Sequence, residues 1–408
     1  MRILFNRILC FASLFSGLFC GFSQTWEYKD SGTDYILFDL SIPEGQNDVA
    51  YAAGAQFTAN SPGIIIKSTN GGETWELNYP LTGTIDGLEK IEFISVDKGF
   101  AVGYDLFLKT EDGGASWTPI TVGTDIWRYN NLTFYNEMIG YATAFTNSSG
   151  FQTYLTTDGG DTWTQGASSA NMGTIAVGYA DETTLFSTGN NQVISKSVDS
   201  GNTWTIVRNG TPTFVNLEVA FSDVENGLVS GEDGELLVTH DSGATWSSFS
   251  TGYHNFYGLH YKESELYAAG TDQDIYYSSD DGETWVLLHN GENVATFYEI
   301  QFFDNGSALI CGSQGRMLKY TPILDSPTNE FSQVDIVYNR LDQTLQVNSP
   351  NSTIKKLNML SILGQTILEE RVVSRAYMSL DVASLADGVY LVNVETMDGV
   401  VSKKFVKM

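Results

Sequence analysis

Three arginines fall between residues 24 and 322: Arg128, Arg208 and Arg316. Three guanidinium groups brought together can clamp a carboxylate, because each offers a fork of donors. Their settings differ, however. Arg128 opens one apolar run, Arg208 closes Trp204-Thr205-Ile206-Val207, and Arg316 starts another, so convergence at one point is not expected. A pair of carboxylates roughly 5–10 Å apart could hydrolyse a glycoside. Candidates in loop-like sequence are Asp86, Asp105, Asp125, Asp233, Asp272 and Asp274, and no spacing selects one pair. Aromatic residues offer a third chemistry. Trp127-Arg128-Tyr129, Phe214, Phe256-Tyr257 and Phe297-Tyr298 stand at corresponding places before or within strand-like runs. A cluster of them would form a stacking surface for a glycan or a peptide. The expected ligand-binding residues are therefore Trp127, Arg128, Tyr129, Phe256, Tyr257 and Tyr298. For the phenylalanines, packing of an inner layer is the competing expectation.

Metals and cofactors find no motif. Asp272-Gln273-Asp274 and Asp280-Asp281 do not extend into the twelve-residue calcium-loop pattern, and His240, His254, His260 and His289 lack ligand spacing. No glycine-rich phosphate loop follows a strand and opens a helix. Cys311 sits in Ala308-Leu309-Ile310-Cys311 and is expected in the core. No metal, cofactor or catalytic residue is assigned.

The elements that position these residues follow from a repeat. Six octapeptides share the pattern S/T-x-D/N-x-G-x-S/T-W: Ser68–Trp75, Thr110–Trp117, Thr156–Trp163, Ser197–Trp204, Thr239–Trp246 and Ser278–Trp285. Their tryptophans are spaced by 42, 46, 41, 42 and 39 residues. The acid or amide can accept backbone N–H bonds two residues on, the glycine supplies positive φ, and the hydroxyl before Trp can bond back across the loop. Each box follows a strand-like run such as Gly63-Ile64-Ile65-Ile66, so it is a hairpin turn. These octapeptides resemble the Asp-box, or bacterial neuraminidase repeat, of β-propellers. Four strands per unit of this length is one propeller blade. Residues 297–320 supply three more strands without a box, and Thr25-Trp26-Glu27-Tyr28 repeats the box ending. An N-terminal strand carrying Trp26 is thus expected to complete a seventh blade and close the ring. The stretch Gly231–Thr239 is also similar to the blade pattern of the photosystem II assembly and stability factor family, which implies an exported, non-enzymatic, seven-bladed binding protein. A sialidase is not expected, because the three arginines do not converge and an early F-R-I-P segment is absent.

The 408 residues carry 21 Lys+Arg against 49 Asp+Glu, a formal charge of −28. Residues 24–322 hold 39 acids and 11 bases, and residues 323–408 hold 10 and 8, so the charge belongs to the repeat segment. This excludes a nucleic-acid-binding role, which needs clustered bases to neutralise phosphates, and points to a neutral or basic partner. Residues 1–23 have the basic, apolar and small-residue regions of a secretory signal, and no other segment is apolar enough to span a membrane as a helix. A lipoprotein signal ending at Cys20 is the alternative. Residues 323–332 form a linker. Residues 333–408 alternate apolar and polar in runs that suggest a small antiparallel, Ig-like sandwich. Ile362-Leu363-Gly364-Gln365, Leu385-Ala386-Asp387-Gly388-Val389-Tyr390 and Lys403-Lys404-Phe405-Val406-Lys407 resemble the type A C-terminal sorting domain of type IX secretion. That resemblance implies recognition by the type IX machinery and a secreted or outer-membrane-surface location in a Gram-negative bacterium. The expected class is all-β: a seven-bladed propeller followed by a β-sandwich, acting as a binding protein for a glycan or protein ligand. A glycoside hydrolase or lyase using acids of the central pocket is the alternative.

Overall fold

The computed structural model describes residues 25–322 and 334–407, apart from 57–62, 81–86, 149, 168–173, 211–213, 253, 263–264, 292–294, 340–341, 350–352, 362–365, 387 and 397–399. The expected signal segment, the linker, Asp86 and Ile362–Gln365 lie outside the described residues. Two compact units separate at residues 322 and 323.

Among the described residues the first unit holds seven antiparallel four-stranded sheets, the blades of a propeller. Six are built in simple sequence order. The seventh joins Phe297–Phe302, Ala308–Gly312 and Arg316–Thr321 to the N-terminal strand Thr25–Asp30, which pairs along Arg316–Thr321 and closes the ring. The innermost strands are Ile36–Ser41, Leu88–Phe93, Ile126–Phe134, Thr174–Tyr179, Asn216–Phe221, Phe256–Lys262 and Phe297–Phe302, for blades 1 to 7. The second strands are almost wholly buried, as in Gly99–Gly103 and Gly227–Gly231, because they lie between blades on both faces.

Each box turns the third strand into the fourth and does so with its own side chains. In the third blade Thr156 Oγ1 accepts the Gly160 N–H (2.8 Å) and donates to Asp158 Oδ1 (2.8 Å). Asp158 in turn accepts the Thr162 N–H (2.9 Å) and hydroxyl (2.6 Å). The acid therefore reaches the N–H four residues on, rather than two, because two successive positive-φ residues carry the chain around it. Those hydrogen bonds, the Thr162 hydroxyl foremost, hold Asp158 down to about 2. Trp163 completes the unit by packing on Phe100 and Phe107 of the preceding blade and on Phe134 of its own. Lysines on third strands staple neighbours together: Lys67 Nζ donates to the Gly113 carbonyl, Lys109 to Asp161, Lys196 to the Ser242 carbonyl and Lys319 to Glu73, at 2.7–2.9 Å.

The box glycine has a second reason to be glycine. Gly160 has φ +79°, and a Cβ there would stand 2.3 Å from Phe100 Cζ of the preceding blade. Gly160→Ala is expected to cost about 2–3 kcal/mol, the left-handed strain and the overpacking together. At the preceding box position Ser200, Ser242 and Asp281 tolerate φ of 56–59°. Gly71→Asn, whose Cβ would come no closer than 3.4 Å to Asn47 O, is expected to stay within about 0.5 kcal/mol of the parent in urea unfolding.

The second unit is an antiparallel pair of sheets. Asp335–Asn339, Thr344–Asn348 and Tyr377–Asp381 form one, and Ile354–Ser361, Thr366–Arg375, Gly388–Thr396 and Val400–Lys407 form the other. The apolar-rich stretch of residues 353–370 thus holds one whole strand, Ile354–Ser361, and the start of a second, Thr366–Arg375. Leu345, Val347 and Leu380 of one sheet share a core with Leu357, Met359, Val392 and Phe405 of the other.

Candidate functional site

All seven innermost strands carry a β-bulge near their first residues. The register skips Phe38, Glu89, Trp127, Ile175, Leu217, Tyr257 and Tyr298, one in each blade. A bulge re-aims side chains at the rim of a closed sheet system. Here it sets one extra residue per blade at the end opposite the box turns, and in four blades the next residue, Asp39, Lys90, Glu218 or Glu299, faces the central channel.

Three of the expected residues, Trp127, Tyr257 and Tyr298, occupy these bulges. Tyr257 and Tyr298 have ring centroids 5.3 Å apart, and Phe38 continues the row at 5.2 Å from Tyr298. Trp127, 40 % exposed, leans on Tyr104 and Phe145, with Phe151 beyond. Arg128 donates to Glu89 Oε2 of the neighbouring blade (2.9 Å) and lies over the Tyr104 ring. Burial raises Glu89 and Arg128 opposes that shift. The structure does not bring Tyr129 or Phe256 to this surface. Tyr129 is buried, donating its hydroxyl to the Val122 carbonyl, because it is the second residue after the bulge, the place where Leu40, Ile91 and Ile300 turn into the core of their blades. Phe256 is fully buried, since it precedes the bulge and its neighbour Tyr257 takes the outward place.

The loop acids resolve into turn residues. Asp105, Asp125, Asp233 and Asp272 all hold positive φ. Asp274 is buried against His254 Nδ1 (3.4 Å) and accepts from Asn290 Nδ2; burial raises its carboxyl. Arg208 pairs with Glu235 on an outer strand, while Arg316 lies over Tyr28. The three arginines do not meet. Cys311 is buried, its thiol donating to the Leu37 carbonyl.

Sequence reasoning missed the strongest electrostatic feature. A cavity of about 270 Å³ along the channel is lined by residues from all seven innermost strands. Lys90 Nζ lies there among Asp39 Oδ1 (3.3 Å), Glu218 Oε2 (3.3 Å) and Glu299 Oε2 (3.7 Å). Asp39, Lys90, Glu218 and Glu299 are each the residue after a bulge. Asp39 also accepts the Ile91 N–H (2.6 Å) and Glu92 the Phe134 N–H (2.9 Å), so these acids clip adjacent innermost strands together. Burial pushes Glu92 up to about 8, with the Phe134 N–H pulling down and Asp39 adding to the rise. Burial raises Asp39 and Glu299 as well, with Lys90 opposing.

The sign of the Glu92 effect on stability follows. Its folded value lies above its ordinary 4.5, so the native state holds the proton more tightly than the unfolded chain. The resulting stability is fully present below about pH 4.5 and is lost as the pH rises through about 8. Glu92→Gln keeps an acceptor for Phe134 and removes the titration. It is expected to match the parent near pH 5 and to exceed it by a few kcal/mol at pH 8.5. Urea midpoints at the two pH values check this, and parallel curves would remove Glu92 as the cause.

A closed seven-bladed ring with a charged channel, followed in the chain by a small sandwich, defines a β-propeller with a second, all-β domain. The comparisons with known proteins agree. Residues 239–321 match the family described as photosynthesis system II assembly factor YCF48, and residues 339–408 match the secretion system C-terminal sorting domain. The photosystem II assembly protein Ycf48 of Synechococcus sp. (strain JA-2-3B'a(2-13)) is 24% identical over 318 residues, covering 72% of this chain and 88% of the relative. The photosystem II assembly lipoprotein Ycf48 of Synechococcus sp. (strain CC9902) is 24% identical over 245 residues, 55% of this chain and 69% of that protein. Among solved structures, YCF48 bound to D1 peptide aligns with TM-score 0.59 at 21% identity, over 72% of this chain and 94% of that one. YCF48 from Cyanidioschyzon merolae gives 0.57 at 21% identity, over 73% and 98%. The chain is a β-propeller similar to Ycf48 and carries a type IX C-terminal sorting domain, which implies secretion or display at the outer-membrane surface.

Proposed function

We propose that this is an exported, non-enzymatic propeller whose mouth opposite the box turns binds a protein ligand through a neutral or basic segment. The observation that carries it is the ring of bulges, which puts Phe38, Trp127, Tyr257 and Tyr298 at the mouth of an acidic channel. Aromatic residues with one polar edge are suited to peptide capture, and the acidity below selects against anionic partners. A relative's structure with a bound peptide supports a peptide over a glycan. The sorting domain would meet the type IX machinery on the way out. The hydrolase or lyase reading would now draw on Asp39, Glu92, Glu218 and Glu299 rather than loop acids. Lys90 ties three of these together, which suits binding.

The test presents the purified chain to peptide and glycan arrays, with a polysaccharide turnover assay alongside. Basic peptides are expected to bind and to lose at least about tenfold with Trp127→Ala, about 1.4 kcal/mol or more. Sugar release that disappears in Glu92→Gln would overturn the reading in favour of the enzyme, and selective glycan capture would overturn the choice of a protein ligand.

A further inference from the structure

The channel holds four carboxylates, Asp39, Glu92, Glu218 and Glu299, against the single ammonium of Lys90. Asp39 and Glu299 are 5 % exposed, so water does little to offset their charge. Lys90 is at 3.3–3.7 Å from three of them, a shared and loose arrangement rather than a tight pair, and Glu92 has no cation within ion-pair distance among the described residues. A second observation points the same way without depending on charge. Asn131, 2 % exposed, lines the same cavity, and its Oδ1 has no hydrogen-bond partner. A buried acceptor without a donor is unfavourable unless something supplies one. Once Glu92 gives up its proton, above about pH 8, the channel thus presents surplus anionic oxygens and an idle amide oxygen to one space, and all of them accept.

We propose that the channel binds the ammonium or guanidinium group of a basic side chain or small amine, held by Glu92, Glu218, Glu299 and Asp39 with Asn131 Oδ1 as a neutral acceptor. Such groups are donors only, which matches a wall of acceptors. No three His, Cys, Asp or Glu side chains are grouped to hold a metal ion among the described residues, so a divalent cation is not the match. The bulges place the row Phe38, Tyr298 and Tyr257 one residue before, or at the same register as, the channel acids of blades 7 and 1, and an aromatic mouth above carboxylates favours an alkyl stem carrying a positive head. This deepens the proposed function and rests on it only for the identity of the whole ligand.

The experiment titrates the full chain at pH 8.5, where Glu92 is largely ionised, with n-butylammonium, n-butylguanidinium, 1-pentanol and Ca²⁺, read by calorimetry and by ¹⁵N shifts of channel residues. Saturable binding of either organic cation with no response to pentanol is expected. Glu92→Gln/Glu218→Gln should weaken it at least tenfold, and Asn131→Asp, which adds a fifth carboxylate, should strengthen it severalfold. The opposite signs guard against a folding artefact, and thermal melts of each variant confirm the fold. Binding of Ca²⁺ without the amines would overturn the proposal, as would no binding at all, which would leave the acids as clips between strands. If a basic peptide still binds through Trp127 while the amines do not, only the channel proposal falls; if the amines bind and no peptide does, the mouth reading falls and the channel site stands.

Discussion

Replacing Lys90 with methionine is expected to cost the propeller about 3 kcal/mol at pH 8, and about half that at pH 5. Removing one partner of a buried charge cluster leaves the others uncompensated, a loss of about 3–5 kcal/mol. The low end applies because the Lys90 side chain keeps 20 % of its surface exposed, so solvent screens part of the interaction. The pH dependence has a definite sign. Burial already raises Asp39 and Glu299, with Lys90 the principal opposing charge. Without the ammonium they rise further, the native state takes up more protons, and stability is lost as the pH climbs from the ordinary carboxylate range. At pH 5 protonation neutralises the cluster, and roughly half the deficit should disappear. Urea unfolding at pH 5 and pH 8 measures both arms. A variant equal to the parent at pH 8 would show that the four charges do not interact in the native state.

This cluster also shows where a sequence reading stops. The blades were legible because a five-position box repeated at a steady period announces a turn, and a turn of fixed place in a four-stranded unit announces the rest. Trp26 was legible for the same reason: it repeats the end of a box, and it lies against Tyr320 where the seventh blade closes. The channel was not legible, because a bulge inserts one residue and reverses the inside–outside alternation that follows it. In Ile36-Leu37-Phe38-Asp39 or Phe297-Tyr298-Glu299 the acid looks like the solvated face of a half-buried strand. The usable signal was that Asp39, Lys90, Glu218 and Glu299 hold the same position in four blades. Bulges also explain the mixed fate of the aromatics. Phe256 and Tyr257 are adjacent, so only one can face outward, and Tyr129, the second residue after the bulge at Trp127, turns into the blade core as Ile91 and Ile300 do. The loop acids misled because positive φ at a tight turn favours Asp irrespective of function.

Removing the closing strand is the other change with a large expected effect. Deleting residues 25–30 should yield a species that associates more and melts earlier than the parent. Those six residues pair in register with Arg316–Thr321, from Thr25 opposite Thr321 to Asp30 opposite Arg316. They also reach sideways. Lys29 Nζ binds Glu73 Oε2 in the first box (2.8 Å), where Lys319 binds Oε1 (2.7 Å), and Tyr28 donates its hydroxyl to Gln273 of the sixth blade (2.7 Å). Without them Arg316–Thr321 becomes an unpaired edge flanked by the hydrophobic cluster of Ile300, Ile310 and Leu318. Such an edge pairs with another chain or takes back a strand. Blades 7 and 1 keep the core that Phe303, Leu309 and Met317 share with Leu37, Leu40 and Ala52, but a blade left one strand short loosens that seam, so the loss is not local. A peptide of residues 24–31 added in trans should therefore restore the parent's state of association and recover much of the lost melting temperature, whereas a peptide carrying Trp26→Ala should restore less, since that ring packs on Tyr320. Light scattering after gel filtration and thermal melts with and without peptide provide the measurement. A truncated chain that associates no more than the parent and melts with it would mean that the boxes and lysine staples hold the ring without its seam.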